Sequence, residues 1–264
     1  MAFGRDRGWS LWLALCLTGC VRSNFNLATQ QQEYTITSTE REVELGRKIA
    51  RRVEEELTVV PDEPLQQRVR QIGARIAAVC DRRELIYTFT VVKDDDVNAF
   101  SLPGGYVFLN DGLIKKAAND DELAGVIAHE VSHIAARHAV KRYESSLGLQ
   151  IVQLATLAVR QGAAARGVSV AAQAAQLAYA RQDELEADRL GVKYMKAAGF
   201  DPKGMLSFLE TLHEIDLSKP QYLPRGVVRP HYAMTHPYVP ERIVAVKEAL
   251  FGVADYIDYL NTLQ

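Results

Sequence analysis

The 264-residue sequence carries little net charge, few cysteines and no apolar run long enough to cross a bilayer. Its 31 Lys and Arg residues nearly balance its 33 Asp and Glu residues. The chain therefore lacks the excess of positive charge that would predict a nucleic-acid partner. Two of its three cysteines lie within the first twenty residues, which leaves Cys80 without a disulfide partner in the rest of the chain. No Gly-rich phosphate loop is present. The composition therefore excludes a disulfide-stapled scaffold and a P-loop enzyme, and is that of an ordinary globular chain.

The first twenty residues have the organisation of an export signal. Arg5 and Arg7 precede a mostly apolar run over residues 9–18. This run is about half of the length that spans a bilayer. The sequence therefore predicts a cleaved signal peptide over residues 1–19 rather than a permanent transmembrane helix.

Cys20 is the candidate lipidation site. The residues LTGC at 17–20 resemble a bacterial lipobox, in which the cysteine after the cleavage point receives lipid chains. Several acyl chains on one residue provide the multiple anchors that stable membrane attachment needs. Val21 in place of Asp favours the outer membrane by the same resemblance, so we expect a periplasmic lipoprotein anchored there. The alternative is ordinary cleavage next to a chance cysteine.

The residues after Cys20 predict a tether followed by one mostly helical α+β domain. Residues 20–38 are polar and unpatterned, which is typical of a linker, and the domain is predicted over 39–264. Helical spacing of apolar residues covers 39–57, 64–79 and 120–143, and β-branched or aromatic runs that predict strands cover 85–92 and 106–110.

The segment HEVSH at 129–133 contains two histidines four positions apart in a predicted helix. Side chains four apart lie about 40° apart around the helix axis, so His129 and His133 can face one metal ion. Glu130 lies about 100° from His129 and can reach a metal-bound water without being a ligand. The alternative is a surface helix with a chance histidine pair. His138 lies about 180° from His129 on the same helix, which predicts that it stays out of the site.

A second acidic helix offers the third ligand that a catalytic zinc site needs. The segment 181–195, RQDELEADRLGVKYM, contains Glu184, Glu186 and Asp188. Glu184 and Asp188 share a face, which suits one ligand and one outer carboxylate, whereas Glu186 lies on the other side. Metal-bound histidines usually donate their second N–H to such a carboxylate, and Asp188 is the candidate acceptor for His129. The alternative is an acidic face in contact with solvent.

Four segments resemble the CAAX prenyl endopeptidase and heat-shock HtpX-like family of zinc metallopeptidases. They are NAFSLPGGYVFLNDGL (98–113), HEVSH (129–133), ELEAD (184–188) and THPYVPERI (235–243). The resemblance covers about residues 39–250 and implies a zincin-like domain with a small sheet beside the metal helix. It implies one Zn²⁺ ion held by His129, His133 and Glu184, with Glu130 as general base and Asp188 as outer partner. The chain is most similar to the short, lipid-anchored periplasmic members.

The remaining site predictions concern the transition state and the substrate. His236 is the candidate hydrogen-bond donor to the oxyanion of the transition state. Arg242 is a weaker candidate for this role and is predicted to bind the substrate. By the resemblance, His236 has an alternative role as a zinc ligand in a resting state. The segment Asn98, Ala99, Phe100 is similar to the one with which such peptidases bind an extended peptide as an added strand. The alternative for this segment is an ordinary strand edge before a turn.

Together these features predict a zinc-dependent metalloendopeptidase that cleaves unfolded or misassembled envelope proteins. One rival is a lipid-anchored chaperone or assembly factor with a structural metal site. The presence of Glu130 argues against that rival, because a structural metal has no use for a general base. A second rival is a metal-dependent hydrolase acting on something other than peptides. Residues 145–180, rich in Ala and Gln, are predicted to cover the cleft or, alternatively, to form plain core helices.

Overall fold

The computed structural model describes residues 21–146, 181–218 and 236–262. The predicted signal peptide, Cys20 and all but the first two residues of the predicted cover over 145–180 lie outside this part of the chain. Most of the described residues are helical, with one three-stranded sheet and a separate β-hairpin, which confirms the predicted mostly helical α+β class. No helix within the described ranges is long and apolar enough to cross a membrane.

A β-hairpin occupies most of the segment for which the sequence predicted an unpatterned tether. Strands β1 (Arg22–Asn26) and β2 (Gln31–Thr35) pair antiparallel in a sheet of their own. The tether prediction is therefore wrong for the residues of these two strands.

Hydrogen bonds join the hairpin to the helices. The Asn26 amide donates to the carbonyl of Ala135 (3.3 Å), and the Thr35 hydroxyl donates to the Glu144 carboxylate (2.6 Å). Asn26 and Thr35 are buried against the helices although both are polar. Because the inward positions are polar, the strands lack the buried apolar stripe by which a sequence predicts a strand, and the hairpin was therefore not predicted.

Two capped helices follow the hairpin. Helix α1 (Thr39–Glu56) begins after Ser38, whose hydroxyl accepts a hydrogen bond from a first-turn N–H group (3.4 Å). Helix α2 (Glu63–Val79) begins after Asp62, whose carboxylate accepts another (3.0 Å). Short polar side chains at these positions satisfy N–H groups that have no partner inside the helix.

The three-stranded sheet has the order β3–β5–β4. Strand β3 (Thr88–Val92) runs parallel to β5 (Tyr106–Asn110), and β4 (Ala99–Leu102) runs antiparallel to β5. The turn between β4 and β5 contains Gly104 and Gly105, both at positive φ. This order leaves β4 at an edge, where its outer side pairs with no strand of the described chain.

The HEVSH segment lies in the second half of a helix that is shorter than predicted. Helix α3 (Asp111–Lys116) and then α4 (Asp120–Ala135) follow the sheet, and a further helix, α5, begins at residue 138 and is described to residue 146. The single helix predicted over 120–143 is wrong beyond Ala135. Arg137 adopts a φ of 60°, outside the helical region, and its guanidinium is held by the buried carboxylate of Glu42 (3.1 Å). The helix therefore turns sharply just after the HEVSH segment.

Three more helices complete the described chain: α6 over 181–198, α7 (Lys203–Ser218) and α8 (Val239–Thr262), the last interrupted at Gly252. Helix α4 packs against α2, α7 and β4. A Cβ atom on Gly125 of α4 would lie only 2.7 Å from the Cα of Met205 in α7, so the two backbones touch there. A Cβ on Gly191 of α6 would lie 3.4 Å from the backbone nitrogen of His129. These small residues let α6 and α7 approach the HEVSH helix closely.

Candidate metal centre

His129 and His133 direct their Nε2 atoms to the same point. Both histidines lie in the last two turns of α4, and the two Nε2 atoms are 3.0 Å apart. They are 1% and 4% exposed, respectively, so the pair is enclosed by protein rather than displayed on a surface helix. The predicted i,i+4 geometry is therefore present.

Glu184 and His236 complete a cluster of four possible ligands. Glu184, on α6, places its carboxylate oxygens 3.3 Å from His129 Nε2 and 3.4 Å from His133 Nε2. His236, just before α8, places Nδ1 at 3.3 Å from His129 Nε2 and 3.2 Å from Glu184 Oε2. One ligand atom from each of the four side chains lies within 4.8 Å of all the others. Atoms about 2.0–2.2 Å from a tetrahedral zinc ion lie roughly 3.3–3.6 Å from one another, so this spacing fits the metal.

Asp188 lies behind His129, and Arg242 lies behind Asp188. The Asp188 carboxylate is 2.8 Å from His129 Nδ1. Arg242 Nε and Nη2 each donate to Asp188 at 2.8 Å, and Nη1 is 3.2 Å from Glu184. Arg242 is 1% exposed and therefore faces the ligand residues rather than a substrate groove, which corrects its prediction as a substrate-binding residue. Its guanidinium supplies positive charge beside two buried carboxylates.

The charges around His129 favour a cation at this point. Burial lowers the pKa of its imidazole and so does Arg242, but Asp188 and Glu184 outweigh both and raise it to about 9. Burial raises the pKa of Asp188, yet Arg242 and His129 lower it to about 2. For Glu184, burial is again outweighed, chiefly by His236 and Arg242, and the pKa lies well below its usual value. Both carboxylates are therefore anions near neutral pH, which suits a bound metal ion.

His133 is oriented by a second histidine that the sequence prediction left out of the site. His138 Nδ1 is 2.8 Å from His133 Nδ1, and His138 Nε2 is 3.1 Å from Glu186 and 3.4 Å from Asp183. The prediction that His138 stays remote assumed one continuous helix, whereas the turn at Arg137 brings His138 back toward α4. His138 is fully buried and holds the ring nitrogen of His133 that does not face the cluster.

Burial keeps His133 in the form that a metal needs. Desolvation lowers the pKa of His133 well below its usual value, so its imidazole is neutral. A neutral ring that offers Nε2 to a metal carries its proton on Nδ1, the nitrogen beside His138. His138 Nδ1 then accepts a hydrogen bond from the Nδ1–H group of His133, and the Nε2–H group of His138 donates to Glu186.

Glu130 is a buried carboxylate without a hydrogen-bond donor among the described residues. It is fully buried, and neither carboxylate oxygen accepts a hydrogen bond of good geometry there. His236 Nε2 lies 3.3 Å from Glu130 Oε1. Buried carboxylates are normally hydrogen-bonded, so these oxygens fit a site in which another group, such as water, comes between Glu130 and a metal.

The predicted substrate segment forms the start of the edge strand. Asn98 and Ala99 are buried, and the Phe100 ring stacks on Phe108 with ring centroids 5.2 Å apart. These side chains therefore pack on the sheet, and what β4 offers at its edge is backbone. Farther along, Ser101 and Leu102 line a small cleft together with His133, Ile134 and Arg137. The predicted substrate segment ended at Phe100. The alternation of side chains along the strand was the signal that could have extended it to Ser101 and Leu102.

The family model for peptidase family M48 matches residues 63–250, more than half of the chain. The β-barrel assembly-enhancing protease of Escherichia coli (strain K12) is 29% identical over 212 residues, covering 76% of this chain and 42% of that protein. The protein of the same name from Yersinia pestis is 30% identical over 218 residues, covering 78% and 43%. Mitochondrial metalloendopeptidase OMA1 of Schizosaccharomyces pombe is 29% identical over 182 residues, covering 69% and 52%. The chain thus spans about half the length of these relatives or less.

Proposed function

Because the chain belongs to peptidase family M48, we propose that it is a zinc-dependent endopeptidase that cleaves unfolded or misassembled envelope proteins. The observation that carries the proposal is the convergence of His129, His133 and Glu184 at one buried point, with Glu130 beside them. A structural metal site would have no use for a buried carboxylate that lacks a hydrogen-bond donor in the surrounding protein.

In this proposal His129, His133 and Glu184 hold the metal, and Asp188 and Arg242 orient His129. When bound, Zn²⁺ polarises the substrate carbonyl and lowers the pKa of a coordinated water toward neutrality. Three protein ligands leave a fourth position open, which distinguishes catalytic from structural zinc sites.

Glu130 serves as the general base. It accepts the proton of the attacking water as the water adds to the peptide carbon, then delivers that proton to the leaving nitrogen. Its two carboxylate oxygens accept no other hydrogen bond in the described chain, which leaves their lone pairs to the water. The histidine at 236 has two candidate roles, and its position within ligand distance of the cluster supports the resting-state ligand rather than the oxyanion donor.

The substrate binds extended along the outer edge of β4. An added strand pairs through main-chain hydrogen bonds, so it reads backbone more than side chains and favours unfolded polypeptides over folded ones. Ser101 and Leu102 share a cleft with His133, which supports a path from this edge to the metal. The name of the Escherichia coli relative, which refers to β-barrel assembly, supports substrates in the bacterial envelope. Lipidation of Cys20 would hold the protein at the periplasmic face of the outer membrane.

Casein cleavage with and without a chelator tests this function against its rivals. We expect the purified protein to cleave casein, to lose this activity on treatment with a zinc chelator, and to regain it when Zn²⁺ is restored. A lipid-anchored chaperone would suppress aggregation of an unfolded protein without cutting it. Persistent failure to cleave casein or any other unfolded polypeptide, with zinc bound, would overturn the proposal.

A further inference from the structure

One face of the N-terminal hairpin is apolar and exposed. In the β1–β2 register Phe25 lies opposite Gln32 and Ser23 lies opposite Tyr34, so these four side chains share a face. Phe25 is 58% exposed and Tyr34 is 72% exposed. The opposite face is the one that packs on the protein, through the buried Asn26 and Thr35.

The apolar character extends beyond the two strands. Val21 and Ile36 flank the strands at positions that continue the alternation of Phe25 and Tyr34, and Leu27 follows in the turn; these three are 47%, 42% and 62% exposed, respectively. Five of the ten exposed large apolar residues in the described chain therefore fall within residues 21–36, whereas the others are scattered. The polar residues interleaved on this face, Ser23 and Gln32, are uncharged. We call this surface, formed by Val21, Ser23, Phe25, Leu27, Gln32, Tyr34 and Ile36, the hairpin face.

The geometry points to a lipid bilayer as the partner of the hairpin face, an inference that rests on the lipid attachment in the proposed function. Strand β1 starts at Arg22, two residues after Cys20. Five residues of extended chain span at most about 18 Å, so Phe25 would lie within that distance of the acyl chains. Apolar and aromatic side chains on a face whose interleaved polar residues are uncharged suit the membrane interface, where Tyr keeps its hydroxyl in the headgroups.

This contact would fix the orientation of the metal centre relative to the membrane. The side-chain amide of Asn26 in the hairpin donates a hydrogen bond to the carbonyl of Ala135 at the end of the HEVSH helix. Glu33 of the hairpin forms an ion pair with Lys141 of α5 (2.6 Å). A hairpin face embedded in the lipid headgroups would therefore hold α4 at a constant height and angle. An acyl tether alone permits free rotation of the protein about its anchor.

Fluorescence quenching in vesicles of phosphatidylethanolamine and phosphatidylglycerol tests the inference. Both tryptophans of the chain, Trp9 and Trp12, precede Cys20, so the processed lipoprotein contains none. We would reconstitute the lipidated protein carrying Phe25→Trp, with Ile86→Trp as the matched control because Ile86 is 85% exposed but lies outside the hairpin face. Brominated acyl chains should quench the tryptophan at 25 at least several-fold more than the tryptophan at 86. Tyr34→Trp repeats the measurement should Phe25→Trp fail to fold.

Equal quenching at the two positions, or none at position 25 in vesicle-bound protein, would overturn the inference and assign the hairpin face to a protein partner. The unsubstituted protein serves as the blank. Tryptophan fluorescence in that blank would mean that the leader is retained, which contradicts the proposed anchor but still allows positions 25 and 86 to be compared by difference. Casein cleavage by the same samples reports on the proposed peptidase activity independently of either result.

Discussion

At the scale of single residues, the orientation of His133 depends on His138. The Nδ1 atoms of the two rings are 2.8 Å apart, so one nitrogen must donate a hydrogen bond and the other must accept it. If His133 offers Nε2 to a metal, its Nδ1 is the donor and His138 the acceptor. Glu186 and Asp183 then hold His138 from its far side, at 3.1 and 3.4 Å. Burial raises the pKa of Asp183 to about 6, which leaves Glu186 as the more acidic partner of His138.

Two substitutions of His138 test whether its Nδ1 atom matters as the hydrogen-bond acceptor for His133. His138→Asn keeps an oxygen near the Nδ1 position, whereas His138→Gln places its amide near Nε2 and removes the acceptor for His133. We expect His138→Gln to weaken zinc affinity by about 10- to 100-fold, because outer hydrogen-bond partners of metal ligands typically have effects of this size. His138→Asn should stay closer to the unsubstituted protein. Competition against a chromophoric chelator measures the affinities, and the absorption spectrum of the cobalt-substituted protein reports ligand geometry. Unchanged affinity and spectrum in a folded His138→Gln protein would remove His138 from the site.

The third ligand is tested by Glu184→Ala. Without this carboxylate only the histidines remain at the cluster, so we expect zinc to be bound substoichiometrically after dialysis. Elemental analysis of the purified protein measures this directly. Glu210→Ala serves as the control, since Glu210 is a half-exposed carboxylate paired with Lys247 at 3.0 Å. Tight, stoichiometric zinc in the Glu184→Ala protein would show that Glu184 is not a required ligand.

Residue spacing predicted which candidate site residues share a helix face, namely His129 with His133 and Glu184 with Asp188. The choice of Glu184 as a metal ligand came from the family resemblance. The contact of His138 with His133 could not be predicted from spacing, because it depends on the break at Arg137, a residue type with no strong preference for positive φ. Arg242 was predicted as a weaker oxyanion donor that contacts the substrate. Spacing within its own segment shows nothing about its contacts with Asp188 and Glu184 on another helix.

At the scale of secondary-structure elements, the metal centre depends on how closely α6 and α7 approach α4. Gly125 and Gly191 both face Met205, but they meet different parts of it. An added Cβ at 125 would lie 2.7 Å from the Met205 Cα, which is backbone. At 191 it would lie 2.5 Å from the Met205 Cε, the flexible end of the side chain. Only the first clash requires two helices to separate.

The two glycines therefore form a matched pair. Ala in place of Gly favours a helix by about 1 kcal/mol at either position, so the difference between the variants reports the clash. We expect Gly125→Ala to have a free energy of unfolding about 1–3 kcal/mol below that of Gly191→Ala, the usual cost of overpacking. Urea denaturation of both proteins, with zinc bound, measures the difference. Equal stabilities would mean that α4 and α7 are not in rigid backbone contact at Gly125.

The sequence predicted helices better than the hairpin at this scale. Helices α1 and α2 and strand β5 were identified because the spacing of their apolar residues is a local signal. The β1–β2 hairpin was missed because the side chains that it buries are polar, such as Asn26 and Thr35, while its apolar ones are exposed. This inverted pattern is the same feature that suggests a membrane-facing surface.

At the scale of the whole molecule, a hairpin and an edge strand lie between a proposed lipid anchor and one buried metal centre. The hairpin is bonded to the end of α4, β4 lies against α4, and α6 brings the acidic residues to its histidines. A protein arranged in this way would act on extended chains close to the membrane. All of this depends on the central claim that the chain hydrolyses peptide bonds with Glu130 as its base.

The measurement that tests this claim most directly is the rate of casein cleavage by Glu130→Gln compared with the unsubstituted protein at equal bound zinc. The amide cannot accept a proton from water, and loss of a general base typically slows a reaction by about two to four orders of magnitude. Glu130 is not among the candidate ligands, so zinc content and the circular dichroism spectrum should not change. We expect the Glu130→Gln protein to be folded and zinc-loaded and to cleave casein at least about a hundredfold more slowly. A Glu130→Gln protein that cleaves casein at a near-normal rate would contradict this claim.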